Sequence, residues 1–223
     1  MHQRISKKII LYLFLFFSLV TINNSKSLNL NLLKISKLNI LGLEDFEKNK
    51  FYQDLNYLKD ENILFIDKEE ISKRIFTNKI VENLFVFKNY PSKIEIKIIK
   101  ANFLAITKKN NKDFYIGTNG NFILANDPKK KLPFIFGDVD PEYLLTLKSY
   151  IDNSEFSFNK IKNLYFFKSK RWDIETVDGL LIKLPLKQVD VSLRILSNII
   201  NQEEFKNKKE IDLRQINQVI VNE

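Results

Sequence analysis

The sequence predicts an α+β protein. It should hold an N-terminal transmembrane helix, a small domain in the order β-α-α-β-β, and a mostly antiparallel β domain with two helices. Three observations predict this. An apolar run over residues 9–22 follows Arg4, Lys7 and Lys8. Two helix-spaced stretches then precede two strand-like stretches joined at Asn89-Tyr90-Pro91. Beyond residue 106, short extended stretches recur between turn signals, interrupted twice by helical spacing.

Composition sets the bounds. The 223 residues allow one large domain, or two small ones once a targeting segment is set aside. A hydrophobic content of 44% beside 28% charged residues suits a chain that buries a core. With no cysteine, disulfides and thiolate-bound metals are excluded. The net charge of +9 raises nucleic-acid binding as a reading. Only five of the 36 basic residues are Arg, however, and Lys is mixed with Asn along the whole chain. That is a composition bias with no basic face, so nucleic acid is not an expected partner.

Residues 1–8 read as a cytoplasmic tail, 9–22 as a signal anchor and 23–34 as a linker. A run of about 14 apolar residues also suits a cleaved signal peptide. The cleavage site separates the two readings. The one candidate, Ser25-Lys26-Ser27, fits a small-x-small pattern poorly, which favours the retained anchor. Either reading places the remaining chain outside the cytoplasm, because the positive flank stays inside.

Residues 35–105 form the first expected domain. Residues 35–43 alternate as a strand ending at Gly42. Phe51, Leu55 and Leu58 fall on one face of a helix over 47–58. Residues 62–66 read as a short extended segment. Asp67 with Glu70 is a capping-box-like start for a second helix, whose apolar face holds Ile71 and Ile75. A strand over 81–88, a turn at Pro91 and a returning strand over 92–106 complete the unit. In that last strand Ile94, Ile96 and Ile98 alternate with Glu95 and Lys97, and Ile98-Ile99 is expected to mark fuller burial.

Residues 106–223 form the second. Asn119-Gly120 between apolar arms is a hairpin signal. An extended segment over 132–137 leads to Asp140-Pro141-Glu142, a cap, a proline and an acid that open a helix running to Ile151. Strands are expected at 161–167, 171–177 and 180–185, with Asp178-Gly179 as a turn. Val189, Leu193, Leu196 and Ile200 share a helix face, and two extended pieces end the chain.

Catalytic and metal chemistry finds little support. His2 is the single histidine, so His-dependent triads and His- or Cys-built zinc sites are excluded. Five unclustered glycines form no phosphate-cradling loop. Glu69-Glu70 suits a helix first turn, Asp140 a cap, Trp172 a core or sheet surface, and Arg214 a pairing with Asp212 or another acid of the same domain. Neither an enzyme nor a cofactor is expected. The final stretch, Gln215, Ile216, Asn217, Gln218, Val219, Ile220 and Val221, reads as a last strand. At a sheet edge it would offer its backbone to a partner strand; the alternative is an interior or hairpin-paired strand.

The first domain, with N-I-L-F-I-D at 62–67 and N-Y-P-x-K-I-x-I-K-I from Asn89, resembles a POTRA domain. It departs from that pattern at 100–105, where Ala105 fits but an acid and a proline are missing. Asn119-Gly120, Leu132-Pro133 with Gly137, Arg171-Trp172-Asp173-Ile174, Asp178-Gly179, Ile182, Leu184 and Ile211-Asp212-Leu213-Arg214 follow in the order found in FtsQ/DivIB cell-division proteins. Nearly the whole chain therefore resembles that family, with a tail of about eight residues before the anchor.

The resemblance implies a single-pass type II protein of the inner membrane, its bulk periplasmic, at the division septum. It would be a divisome scaffold binding FtsB- and FtsL-like partners and regulating septal peptidoglycan synthesis. Residues 215–221 would form the partner site, and Lys168, Lys170 and Arg171 beside Trp172 would meet acids of the partner. The POTRA-like domain would recruit other divisome proteins. The alternative is a POTRA-containing accessory of outer-membrane assembly or secretion; such chains normally carry several POTRA repeats or a barrel.

Overall fold

The computed structural model describes residues 7–22, 33–125, 131–205, 208–215 and 218–222. The expected membrane span is helical, as α1 (Lys7–Ile22), but it has only 16 residues. At 1.5 Å per residue it extends about 24 Å. Among the described residues no helix is long and apolar enough to cross a membrane. Large apolar side chains from Ile9 to Leu19 are exposed around α1.

The chain divides into two units, Met1–Lys73 with Phe85–Lys97, and Arg74–Leu84 with Ile98–Glu223. In the first part of the fold come β1 (Lys37–Leu41), α2 (Asp45–Asp54), α3 (Lys68–Phe76), β2 (Val81–Asn89) and β3 (Lys93–Lys100). This is the expected β-α-α-β-β order. The three strands form one sheet, β1-β3-β2. β1 runs parallel to β3, with Leu38 opposite Ile94 and Ile40 opposite Ile96. Parallel neighbours need a long crossover, and the intervening helices supply it. Ile40, Phe51, Leu55, Leu58, Ile63, Ile71, Ile94 and Ile96 are buried core residues.

Three local expectations change. Asn62 forms an isolated antiparallel bridge with Lys34 and residues 63–65 turn, because Asn62 competes for the backbone: its Oδ1 accepts the Leu64 N–H at 3.0 Å and its carbonyl accepts the Phe65 N–H at 3.0 Å. Phe65 is left 85% exposed. The alternation in β3 does not stop, since Ile98 is buried and Ile99 faces outward. The stretch 92–106 is two strands, broken at Ala101-Asn102, where Ala101 N–H donates to the Ile80 carbonyl at 2.9 Å. The helix start at Asp67 is as expected in kind, with Oδ1 accepting the Glu69 N–H at 2.8 Å.

The second unit is built on β4 (Phe103–Lys109), β5 (Lys112–Gly117), β6 (Phe122–Leu124), β7 (Phe134–Phe136), α4 (Pro141–Asp152), β8 (Ile161–Phe166), β9 (Trp172–Thr176), β10 (Leu181–Lys183), α5 (Val189–Ile199), β11 (Glu210–Asp212) and β12 (Ile220–Asn222). Its strands form one nine-stranded sheet, β12-β11-β10-β9-β8-β7-β4-β5-β6. The sheet is mixed: five of its eight pairings are antiparallel, in line with the mostly antiparallel expectation, while β4–β7, β7–β8 and β10–β11 are parallel. Two of those joins fall where α4 and α5 intervene, since a parallel return needs a crossover.

Short turns fix the antiparallel registers. Asn110 and Asn111 both take positive φ, 49° and 58°, between the paired Lys109 and Lys112. This matches the primed turns that suit hairpin twist, and Asn tolerates it. At the expected turn, Gly120 takes φ 73° and Asn119 braces the unit: its Nδ2 donates to the Lys79 carbonyl at 3.0 Å and the Val81 carbonyl at 2.9 Å.

One face of the sheet carries Leu164, Ile174, Ile182 and Ile211 in register across four strands. Leu144, Leu147 and Ile151 of α4 and Leu193 and Leu196 of α5 belong to the same core. The other face holds a smaller cluster of Ile106, Tyr115 and Ala125. Gly137, just after β7, has φ 108°, and a Cβ there would sit 2.1 Å from the Phe166 carbonyl oxygen.

Candidate partner-binding edge

β12 closes one end of the nine-stranded sheet. It pairs antiparallel with β11, Asp212 opposite Ile220, Ile211 opposite Val221 and Glu210 opposite Asn222. Among the described residues no strand lies beyond it, so one row of backbone groups faces outward. Ile220 is 45% exposed and Val221 36%.

The strand is shorter than expected. Only Ile220 and Val221 of the seven candidate residues lie in it. Gln215 sits in a bend, and Gln218 and Val219 precede the ladder without joining it. Ile216 and Asn217 lie outside the described residues. Asp212 and Arg214 account for the shape here. Arg214 Nε donates to both carboxylate oxygens of Asp212 at 2.9 Å, and its backbone N–H donates to Oδ1 at 2.9 Å. The Asx-type turn ends β11. The Arg214 hydrogen bond holds the Asp212 carboxyl below its ordinary range, against an opposing push from burial.

Next to the edge lies a row of alternating charge. Asp173 in β9, Lys183 in β10 and Asp212 in β11 stand side by side, and Ile220 completes the row. Arg171 Nε lies 3.3 Å from Oδ1 of Asp173, and Lys183 pairs with Glu210. Asp173 is only 4% exposed, and burial pushes its carboxyl up despite Arg171 nearby. Its neighbour on the same face, Glu175, behaves oppositely. Asn163, Tyr165 and Lys162 donate to it at 3.0, 2.7 and 3.0 Å, and they hold it down to about 2.

The second candidate group sits in the turn between β8 and β9. Phe167 N–H donates to the Arg171 carbonyl at 3.0 Å, and Lys170 N–H to the Phe167 carbonyl at 2.8 Å. Lys168 and Lys170 are exposed, and Lys170 takes φ 65° with its Nζ 5.2 Å from the Tyr143 ring centre. The Arg171 guanidinium lies 4.4 Å from the Phe167 ring centre. Trp172 belongs to the core beside Phe166, so it underlies the turn and presents little surface.

The two groups are not brought together. β10 and β11 separate β9 from β12, a span of about 14 Å at the usual strand spacing. The charged row bridges that distance. Sequence reasoning missed its members Asp173 and Lys183, and Glu175 beside it on the same face. For Asp173 and Glu175 the alternation in R-W-D-I-E-T is the signal that could have found them, since it sets both opposite Trp172 and Ile174.

The order and geometry define a two-part class of protein: a POTRA-type β-α-α-β-β domain followed by a β domain of mixed sheet. Two family models agree. The FtsQ-type POTRA domain matches residues 33–100, and the C-terminal domain of cell division protein FtsQ/DivIB matches residues 105–214. The chain belongs to the FtsQ/DivIB family of cell division proteins. It is 26% identical over 191 residues to the cell division protein FtsQ of Rickettsia bellii, covering 84% of this chain and 72% of that one. It is 24% identical over 209 residues to the cell division protein DivIB of Bacillus subtilis, covering 90% and 78%. A solved structure of the major extracytoplasmic domain of DivIB from Geobacillus stearothermophilus aligns with a TM-score of 0.34 at 13% identity, over 45% of this chain and 92% of that one.

Proposed function

We propose that this protein is a non-catalytic scaffold of the division machinery, held at the inner membrane by α1, with its two domains on the periplasmic side. It binds FtsB- and FtsL-like single-pass partners through β12, and through this binding it regulates septal peptidoglycan synthesis. The POTRA-type domain contacts further division proteins. The observation that supports this reading most is the position of β12 at the sheet end, with Ile220 and Val221 exposed. An apolar edge strand left bare is a liability that a partner strand removes. Lys168, Lys170 and Arg171 add positive charge that steers an acidic partner.

An apolar helix exposed all round has its natural solvent in lipid. With 16 residues, α1 needs local bilayer thinning, and Lys7 and Lys8 at its start reach toward headgroups.

Purifying the tagged full chain from its own membranes beside a version ending at Gln215 tests this. The full chain should bring short single-pass coiled-coil proteins with it, and the truncated form should lose them. Retention by both forms places the site away from β12. Recovery of outer-membrane assembly proteins alone overturns the division reading.

A further inference from the structure

The three-stranded sheet of the first unit receives the chain from α1 at one end, and two turns gather there. Lys34 bridges antiparallel to Asn62, and the Ile63 N–H donates to the Leu33 carbonyl at 2.9 Å. That pairing sets the turn over 63–65 on the side from which the chain enters. The turn over 90–92 lies at the same end, because β3 runs parallel to β1 and the Ser36 N–H donates to the Ser92 carbonyl at 2.9 Å. Lys88 Nζ reaches the Leu64 carbonyl at 3.4 Å and links the two turns.

This tip is apolar. Phe65 is the most exposed large apolar side chain among the described residues, and Leu64 in the same turn and Tyr90 in the other are 50% and 60% exposed. The Asn62 side chain fixes the first turn, so Leu64 and Phe65 are held outward by hydrogen bonds. Bare apolar side chains clustered in this way mark a contact surface. Charge selects no ionic partner there. Lys34 and Lys37 are exposed, but Asp60 and Glu61 bond to the backbone of Ile35 between them, and Lys93 pairs with Glu95 at 2.9 Å. The chain length supplies the second observation. From Ile22, the last residue of α1, to Leu33 there are about 11 residues, which reach at most about 40 Å. The tip is therefore tethered within about one bilayer thickness of a helix whose large apolar side chains are exposed. Tethering of this kind raises the effective concentration of the adjoining surface.

We propose that this tip docks on the surface of the membrane that holds α1. Phe65, Leu64 and Tyr90 enter the boundary between headgroups and acyl chains, and Lys34 and Lys37 extend to the headgroup phosphates. Aromatic rings favour that boundary, Tyr because its hydroxyl stays hydrated, and lysines reach outward from it. Docking there sets the direction in which β1 leaves the bilayer. The proposal rests on the reading of α1 as a membrane anchor; it involves neither β12 nor a protein partner.

The chain has no cysteine, so Asn89→Cys, at the exposed end of β2, takes a single fluorescent dye. The labelled full chain is reconstituted in phosphatidylcholine liposomes that contain lipid spin-labelled near the headgroup, a quencher. Leu41→Cys, about 13 Å along β1 from Lys37, carries the comparison dye. The Asn89→Cys dye should be quenched at least about threefold more strongly than the Leu41→Cys dye. Phe65→Ser/Tyr90→Ser should abolish the difference and Phe65→Trp/Tyr90→Trp should keep it. Phe46→Ser, at an exposed phenylalanine near the start of α2, should leave it unchanged. Anionic lipid should add little. Equal quenching at the two positions, quenching that survives the Ser pair, or quenching that requires anionic lipid overturns the proposal. A dye shielded in native membranes yet unquenched in liposomes overturns it in favour of a protein partner. Flotation separates this proposal from the reading beneath it. A full chain that does not float with the liposomes removes the anchor reading, whereas one that floats with its Asn89→Cys dye unquenched removes the tip docking alone.

Discussion

Arg214 grips both carboxylate oxygens of Asp212, two residues before it, where β11 turns toward the final strand. Asp212 is buried, so losing the guanidinium leaves a carboxylate without its main partner. Arg214→Ala should lower the melting temperature and loosen β12. Arg214→Lys should recover only part of the loss, because an ammonium cannot match the two-pronged geometry. Thermal unfolding of both variants checks this, and equal behaviour of Lys and Arg would refute it.

Acid should separate Glu175 from Asp173. The folded state holds Glu175 at about 2 against an ordinary 4.5, so its stabilising effect is complete above 4.5 and is lost as pH falls toward 2. Asp173 is shifted upward, so its ionised form costs stability at neutral pH, and protonation relieves that cost as pH falls. At pH 7, Glu175→Gln should lower the melting temperature and Asp173→Asn should not. Between pH 4.5 and 2 the Gln variant should lose less stability than the parent.

Gly137→Ala should be among the most damaging single-methyl changes in the chain. The new Cβ would meet a backbone carbonyl at 2.1 Å at φ 108°. Neither obstacle yields to a rotamer change, and about 3 kcal/mol or more of destabilisation follows. Denaturant titration measures it; a loss under about 1 kcal/mol would contradict the account.

Asn119→Ala should cost about 1–3 kcal/mol, because two carbonyls, of Lys79 and Val81, lose their shared donor. Asn119→Asp should cost as much, since a carboxylate has no N–H to give. Unfolding midpoints of the two variants test the claim jointly.

Most element identities were legible in the sequence, because periodicity reports burial directly. Leu193 and Leu196 of α5 are buried as their spacing requires, and so are Phe51, Leu55 and Leu58, although α2 ends at Asp54 and Leu58 lies in a short 3-10 turn over Asn56–Leu58. Legibility failed where a polar side chain rewrote the backbone. Asn62 turned an apolar stretch, and Asp212 with Arg214 ended β11 and left the last strand shorter than its apolar content suggested. It failed also for pairing partners. Nothing in residues 132–137 tells that β7 lies parallel between β4 and β8, since that choice depends on crossovers distant in sequence. Of the described candidate residues, Lys168, Lys170, Gln215, Gln218, Ile220 and Val221 are exposed and Arg171 and Val219 half-buried, whereas Trp172 is committed to the core.

The sheet ends in two ladders of three residue pairs each, β10–β11 and β11–β12, while β8–β9 registers five. A margin so narrow should open locally far more often than the whole domain unfolds. Amide protons of Ile220, Val221 and Asn222 should therefore exchange with solvent well before those of Ile174 and Leu164. A strand docking on that margin would have to order it first, and in doing so would slow exchange there while leaving the interior unchanged. The margin's exchange rate is thus a readout of occupancy that needs neither a label nor a catalytic assay.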